Sequence, residues 1–172
     1  PANLGSSVGI SKVSNEYELE RAVALAFRYD SKIIIEEAVS PVRELECAVL
    51  VGKELSISPP GEIVTSHSFY SYEAKYIDPN GTKYFIPAHV SDHIKQRTHD
   101  LGLQTFRILN AEGFARIDFF LKEDDTILVN EINTIPGFTA ISMFPKLMEL
   151  CGISTQEIIN RLVETALKNH NH

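Results

Sequence analysis

The chain is poor in cysteine, in positive charge and in long apolar runs, and each shortage removes a class of function. Of its 172 residues two are cysteines, Cys47 inside an apolar run and Cys151 before Gly152. That excludes a disulfide framework, and neither spacing fits zinc or a dithiol redox motif; two lone buried thiols suit a reducing compartment. No apolar run reaches the ~18–20 residues that cross a bilayer. Lys and Arg number 16 against 23 Asp and Glu, a formal net charge of −7. Gripping a nucleic-acid backbone needs a basic face, so that class is set aside. An anionic nucleotide remains open, because a local cation and a few Lys or Arg can hold phosphates in an acidic protein. His67, His89, His93, His99, His170 and His172 make no helical metal-ligand spacing and read as surface or incidental. There is no Gly-x-Ser-x-Gly elbow, no catalytic Cys/His spacing, no internal repeat and no low-complexity tract. No leader-like segment opens the sequence, and Pro1-Ala2-Asn3-Leu4-Gly5 reads as the middle of something longer.

What is present suits one domain or two small lobes with a real core. Asn15-Glu16-Tyr17-Glu18 resembles a capping box, and Leu19, Ala22, Val23, Ala26 and Phe27 follow at helical spacing, which predicts a helix over 15–30. Short strands are expected at Ile10–Val13, Lys32–Glu36, Leu45–Val51, Glu54–Ile57 and Glu62–Thr65, with breaks at Ser40-Pro41 and Pro59-Pro60-Gly61. Residues 66–88 are irregular and rich in tyrosine. Ser91 is placed to cap a helix over 92–111, with Ile94, Thr98, Leu101, Thr105 and Ile108 as its buried stripe. A short helical turn is expected over 142–150. Ser154-Thr155-Gln156-Glu157 is a full capping box opening an amphipathic helix through Ile158, Ile159, Leu162, Val163 and Leu167. Mixed strands and helices with hairpins predict an α+β fold, an antiparallel sheet packed with helices, and not a doubly wound parallel one.

Two adjacent stretches carry the chemistry, Arg116-Ile117-Asp118 and Asn130-Glu131-Ile132-Asn133. As strands joined by Lys122-Glu123-Asp124-Asp125-Thr126 they form an antiparallel hairpin. Alternation then sets Arg116, Asp118 and Phe120 on one face and Ile117, Phe119 and Leu121 on the other, while Glu131 and Asn133 share a face. Two carboxylates, a carboxamide and a guanidinium can converge there. Oxygen ligands suit a hard cation such as Mg²⁺, and a guanidinium beside them suits a phosphoryl or oxyanion transition state; the alternative is a solvated polar sheet face. The turn residues Thr134-Ile135-Pro136-Gly137-Phe138-Thr139 follow with free backbone amides.

Weaker signals accompany the hairpin. Gly5-Ser6-Ser7-Val8-Gly9 can cradle phosphate or be an ordinary loop; it lacks the Lys-Ser/Thr ending of a P-loop. Glu36-Glu37 and Glu44 with Glu46 can receive a ribose or an exocyclic amine, or be solvent-facing strand-end charges. Tyr70-Ser71-Tyr72-Glu73-Ala74-Lys75-Tyr76 can be a lid that excludes water or a satellite hydrophobic cluster.

In this order, over essentially the whole chain, these motifs closely resemble the D-alanine–D-alanine ligases of the ATP-grasp superfamily. The resemblance implies ATP held between two α+β lobes, an acyl phosphate of one D-alanine, and its displacement by the amine of a second to give the dipeptide of peptidoglycan. It implies residues 1–44 as the remainder of the central lobe, and 45–172 as the C-terminal lobe with a lid loop over 66–88. Asp118, Glu131 and Asn133 match the ligands of two Mg²⁺ ions, with Mn²⁺ as a substitute. Arg116, Ser6, Tyr76 and Gly137 match catalytic positions: Arg116 on the transferring phosphoryl group, the Gly137 amide as oxyanion donor, and Ser6 and Tyr76 in a hydrogen-bonded trio joining lid to glycine loop. The ATP contacts implied are Glu36, Glu37, Val39, Glu44, Lys75, Phe120, Asn130 and Glu131. Ser142 and the Met143 amide, with Tyr76, Arg116 and Gly137, match the D-alanine cradle. Glu73-Ala74-Lys75-Tyr76 is similar to the lid of the dipeptide-forming ligases, and unlike that of ligases using D-serine or D-lactate. The resemblance further implies a bacterial cytoplasmic location. Partners would be small molecules, with no nucleic acid or membrane, and with homodimerisation through the adjacent lobe. Members of the family carry a lobe ahead of this segment, together with a glutamate and a phosphate-binding lysine. The expectation is therefore that the isolated chain is inactive, or only a MgATP-binding fragment.

Overall fold

The computed structural model describes residues 1–39, 42–65, 82–139 and 141–170. The chain divides into two compact units, Pro1–Ser40 with Val64–Lys83, and Pro41–Ile63 with Tyr84–His172.

In the first unit, α1 (Glu16–Ala26) starts where the capping signal places it: Asn15 accepts from the Glu18 amide at 2.9 Å, and the Glu18 carboxylate accepts from the Ser14 amide at 2.8 Å. The helix stops earlier than the expected residue 30. The amides of Tyr29 and Asp30 both turn back to the Ala26 carbonyl, and the Asp30 carboxylate accepts from the backbone and side chain of Asn3. The glycine-rich loop is tightly turned, with Ser6 and Ser7 at φ 55° and 57°, a region non-glycine residues seldom occupy. Gly9 is required: at φ +73° a Cβ there would lie 2.6 Å from the Tyr29 ring. Neither Ile10–Val13 nor Lys32–Glu36 forms a strand. Ile34 and Ile35 are 59% and 66% exposed. β-Branched residues favour a strand only where a neighbouring strand completes the ladder, and among the described residues none pairs with this run.

Most of an antiparallel sheet lies in the second unit. The strands are β1 (Val42–Leu50), β2 (Ser56–Ile57), β3 (Gly61–Thr65), β4 (Thr82–Phe85), β5 (Phe114–Lys122) and β6 (Ile127–Asn133), in the order β4-β3-β1-β5-β6, with β2 also on β1. β1 begins three residues earlier than expected, and β4 falls within the stretch read as irregular. Tyrosine and the flanking turn residues masked its short pattern.

The β5 burial pattern alternates strictly, with Ala115, Ile117, Phe119 and Leu121 buried. They meet Leu45, Cys47 and Val49 of β1, and Ile94 and Phe106 of α2 (Asp92–Ile108), in the main core. α2 is capped by Ser91, whose hydroxyl accepts from the Ile94 amide at 3.3 Å. Its buried stripe runs through Ile94, Thr98, Gly102 and Phe106; Leu101 is only partly buried, and Ile108, expected inside, is 76% exposed. The helix ends at Ile108 and not 111 because Asn110 takes the left-handed conformation at φ 48° and the Ala111 amide reaches back to the Phe106 carbonyl.

The opposite sheet face is capped at one end by α3 (Met143–Leu150), through Phe144 edge-on to Phe114 with ring centroids 5.4 Å apart. α4 (Thr155–His170) follows its capping box, the Glu157 amide donating to Ser154 at 3.2 Å. Ile158 is buried, whereas Ile159 and Val163, read as part of the same stripe, are exposed. Cys47 is buried as expected; Cys151 is exposed, a correction to the reading of two buried thiols.

Phe119 is fully enclosed on the helix-covered face. Phe119→Ala should cost about 3–5 kcal/mol of unfolding free energy, read by urea denaturation of the chain. A loss below about 1 kcal/mol would show that this face is not the packed core.

Candidate active site

The site is assembled by register. β1 and β5 pair Glu44 with Phe120, Glu46 with Asp118 and Ala48 with Arg116. β5 and β6 pair Arg116 with Asn133 and Asp118 with Glu131. Directly paired residues share a face, so Glu46, Asp118 and Glu131 form a row of carboxylates across three strands. A β-bulge breaks the β5–β6 ladder between Asp118 and Phe119 and leaves Asn130 as the extra residue. Bulges are common beside functional sites because they re-aim side chains.

Arg116 is the cation of this row. Its Nε donates to Asp118 Oδ1 at 2.8 Å and its Nη2 to Asp118 Oδ2 at 2.7 Å, a bidentate pair. Asn133 Nδ2 donates to Asp118 Oδ2 at 3.1 Å and, more weakly, to Glu131 Oε1 at 3.4 Å. Arg116 Nε also lies 3.1 Å from Glu46 Oε2. The side chains of Arg116, Asp118 and Glu46 are 22%, 13% and 6% exposed. Burial, and then the Asp118, Glu44 and Glu131 charges, push the Glu46 carboxyl up to about 8. Burial also raises Asp118 above its ordinary range, although its bonds from Arg116 oppose this. Burial alone would depress Arg116; the Asp118 hydrogen bonds and the surrounding carboxylates outweigh it and hold the guanidinium above its ordinary value.

The loop after β6 carries the other residues expected at the site. Ser142 stands at the N-cap of α3 but makes no capping bond with its side chain. Its hydroxyl instead accepts from the Thr139 amide at 3.0 Å and lies 2.8 Å from the Thr139 hydroxyl. Gly137 is pressed against it: a Cβ there would meet Ser142 Oγ at 3.0 Å. Met143 is buried, so it is placed to offer backbone and not side chain.

The structure thus brings together Arg116, Asp118, Glu131 and Asn133, with Phe120 and the bulge residue Asn130 on their two strands and Glu44 on β1 beside them. Gly137 and Ser142 meet each other in the loop that leads into α3, which Met143 opens. Ser6, Glu36, Glu37 and Val39 belong to the first unit. Lys75, Tyr76 and most of the expected lid lie outside the described residues. For Glu46 the sequence leaves open a ribose or amine contact and a solvent-facing strand-end charge. It is no solvent-facing charge, since it lies within β1, where every residue from Leu45 to Leu50 is buried, and its place beside Arg116 was not anticipated. A charged residue amid a buried run was the available signal.

The donor set fits a hard divalent cation in its chemistry, with two carboxylates facing each other across a ladder and a carboxamide beside them. Among the described residues no group of three His, Cys, Asp or Glu is closed into a metal cage, and Asp118 is spent on Arg116. A cavity of about 610 Å³ lined by Arg43, His89, Ser91, Lys95 and Asp125 lies apart from this set, and its Arg43 is held bidentately by Glu62 at 2.7 Å. Among the described residues no helix is long and apolar enough to cross a membrane.

The raised carboxyls give stability a pH slope. Below pH 4.5 Glu46 is protonated folded or unfolded; between there and about 8 the folded chain keeps a proton that the unfolded chain releases. Stability therefore falls as pH rises through this window. The melting temperature of the metal-free chain should decline from pH 5 to pH 8, and Glu46→Gln should flatten the decline. Parallel curves for the two proteins would contradict the assignment.

A family model described as D-ala D-ala ligase C-terminus matches residues 1–164. The chain is 50% identical to a D-alanine–D-alanine ligase of Proteus mirabilis, over 99% of the chain and 46% of that protein. It is 49% identical to one of Oceanobacillus iheyensis, with the same coverage. Among solved structures, the D-alanine-D-alanine ligase of Coxiella burnetii superposes with a TM-score of 0.83 at 35% identity, over 98% of this chain and 44% of that one. The VanG D-Ala:D-Ser ligase of Enterococcus faecalis gives 0.82 at 35% identity, over 94% and 46%. The chain spans about half the length of the relatives it matches, and the expected α+β ATP-grasp fold is found. With the family model covering the described strands, the carboxylate row and the loop at Gly137, the chain belongs to the D-alanine–D-alanine ligase C-terminal family.

Proposed function

We propose that this chain is the C-terminal half of an ATP-dependent D-alanine–D-alanine ligase. The observation that carries the reading is the register that sets Arg116, Asp118, Glu131 and Asn133 on one face, in a chain 50% identical to a protein of that name. Residues 1–44 would complete the central lobe, and 45–172 form the C-terminal lobe with its lid.

Asp118, Glu131 and Asn133 would hold two Mg²⁺, or Mn²⁺, which when bound screen the charge of the nucleotide phosphates. Glu36, Glu37, Val39, Glu44, Lys75, Phe120 and Asn130 would bind the nucleotide. The carboxylate oxygen of one D-alanine bonds to the γ-phosphorus and the bond to the ADP oxygen breaks. The amine of the second D-alanine then attacks the acyl carbon, losing a proton as phosphate leaves. Arg116 stabilises charge on the transferring group, and the Gly137 amide meets the oxyanion. Ser142 and the Met143 amide seat the second carboxylate, and Ser6 and Tyr76 tie the lid so that water is kept from the acyl phosphate. D-Alanine is the second substrate we favour over D-serine, on the residues Glu73-Ala74-Lys75-Tyr76. The reading carries with it a peptidoglycan precursor as product, a cytoplasmic location, and small-molecule partners apart from a second copy of the enzyme.

The test is phosphate release from MgATP, by the chain alone and by the chain joined behind the preceding part of the Proteus mirabilis ligase. D-alanine-dependent release by the joined form is expected. Arg116→Ala should reduce it by about 10²–10³-fold, and Glu131→Gln should abolish it, with circular dichroism unchanged. No release from a folded joined form, or full activity in either variant, would overturn the proposal. MgATP binding without turnover by the chain alone would make that segment a binding half.

A further inference from the structure

Arg116 Nε carries one hydrogen, and it is given to Asp118 Oδ1 at 2.8 Å. Glu46 Oε2 waits 3.1 Å from the same nitrogen and is a buried oxygen without a hydrogen bond among the described residues. An orphaned buried acceptor is unfavourable, and native structures seldom keep one without a reason. Here the acceptor is in place while the hydrogen is used elsewhere. Asp118 has the converse problem. Both its oxygens accept from Arg116, and Oδ2 accepts from Asn133 as well, which leaves few lone pairs for a cation. Ligation of a cation by Asp118 therefore requires Arg116 to loosen its hold. Glu46 is the neighbouring carboxylate already within reach of the Nε that would be released.

Resting on the ligase reading, we propose that Glu46 is a positioning residue: it takes the Arg116 Nε–H when Asp118 turns to a divalent cation. The guanidinium then stays in the site, with its Nη groups directed at anionic oxygens of the substrate. Arg116 moves between two carboxylates, Asp118 in the metal-free protein and Glu46 in the metal-loaded one. Glu46 acts through Arg116 and touches neither metal nor substrate.

The probe is Mn²⁺ alone, followed by calorimetry and electron paramagnetic resonance on this chain, in a cycle of Glu46→Met, Arg116→Met and the double variant. Glu46→Met should weaken Mn²⁺ binding about tenfold by leaving Arg116 on Asp118. Glu46→Gln, an acceptor without the charge, should recover part of the loss. Arg116→Met should not weaken binding, because it removes the competitor for Asp118, and adding Glu46→Met to it should change affinity by less than about twofold. Equal losses in both backgrounds would show Glu46 acting on the cation itself, and no loss in either would show no part for it; both overturn the proposal. The metal-free melting temperature separates a structural role: Glu46→Met should hold or raise it, since a buried oxygen without a hydrogen bond is removed, and a fall would count against positioning. If Glu46→Met does not fold, Glu46→Gln runs the same cycle. Wild-type chain that binds no Mn²⁺ at about millimolar concentration, the weak end of protein–cation affinities, would overturn the metal reading above and this one with it. Binding with a flat cycle would overturn this one alone.

Discussion

Three carboxyl groups stand in a row on neighbouring strands, two of them nearly sealed from water, and among the described residues Arg116 is the cation set against them. The arrangement is held by backbone pairing and not by side-chain choice: Asp118 is paired directly with Glu46 on one side and with Glu131 on the other, in two neighbouring antiparallel ladders. Removing one partner of such a network strands the others in a low-dielectric setting, which costs more than the pair was worth. The carboxyl pKa values, the hold on Asp118 and the orphaned oxygen of Glu46 all follow from that geometry.

The rest of the second unit serves this face. The alternating burial of β5 packs Ile117 and Phe119 against α2 and so fixes which way Arg116 and Asp118 point. α3 covers the end of the site face through Phe144 against Phe114, and its Met143 and Leu147 lie against Gly61, the β3 partner of Glu46. The bulge at Asn130 lets Glu131 and Asn133 keep register with β5 while the outer half of β6 runs out to solvent. Gly137 and Ser142 lock the loop that follows, with the Thr139 amide bonded to the Ser142 hydroxyl.

Much of this was legible in the amino-acid sequence because it depends on period and on short-range chemistry. Alternation along 114–122 gave the face of Arg116 and Asp118, and Asn15, Ser91 and Ser154 gave the helix starts. What escaped depends on tertiary partners. Ile33-Ile34-Ile35 has strand composition, but a strand exists only with a neighbour. Ile108 has the spacing of a buried stripe, yet the left-handed Asn110 ends the helix beside it and leaves it outside. Glu46 stays open between a ligand contact and a terminal charge because nothing local says that α3 will lie against Gly61, its partner on β3. The bulge at Asn130 has no local signature, since Asn is at home in a loop, a bulge or a strand end.

The central claim is that the Arg116–Asp118 pair yields to a cation and that Arg116 is retained by Glu46. The most direct measurement is the guanidinium Nε–H resonance of Arg116, followed by nuclear magnetic resonance as Mg²⁺ is added to ¹⁵N-labelled protein, with the Asp118 and Glu46 carboxyl carbons observed in parallel. The account predicts that Asp118 and Arg116 Nε shift together with Mg²⁺ and that the Glu46 carboxyl shifts in step. Saturation of the Asp118 carboxyl with Mg²⁺ while Arg116 Nε and Glu46 stay unmoved would contradict it.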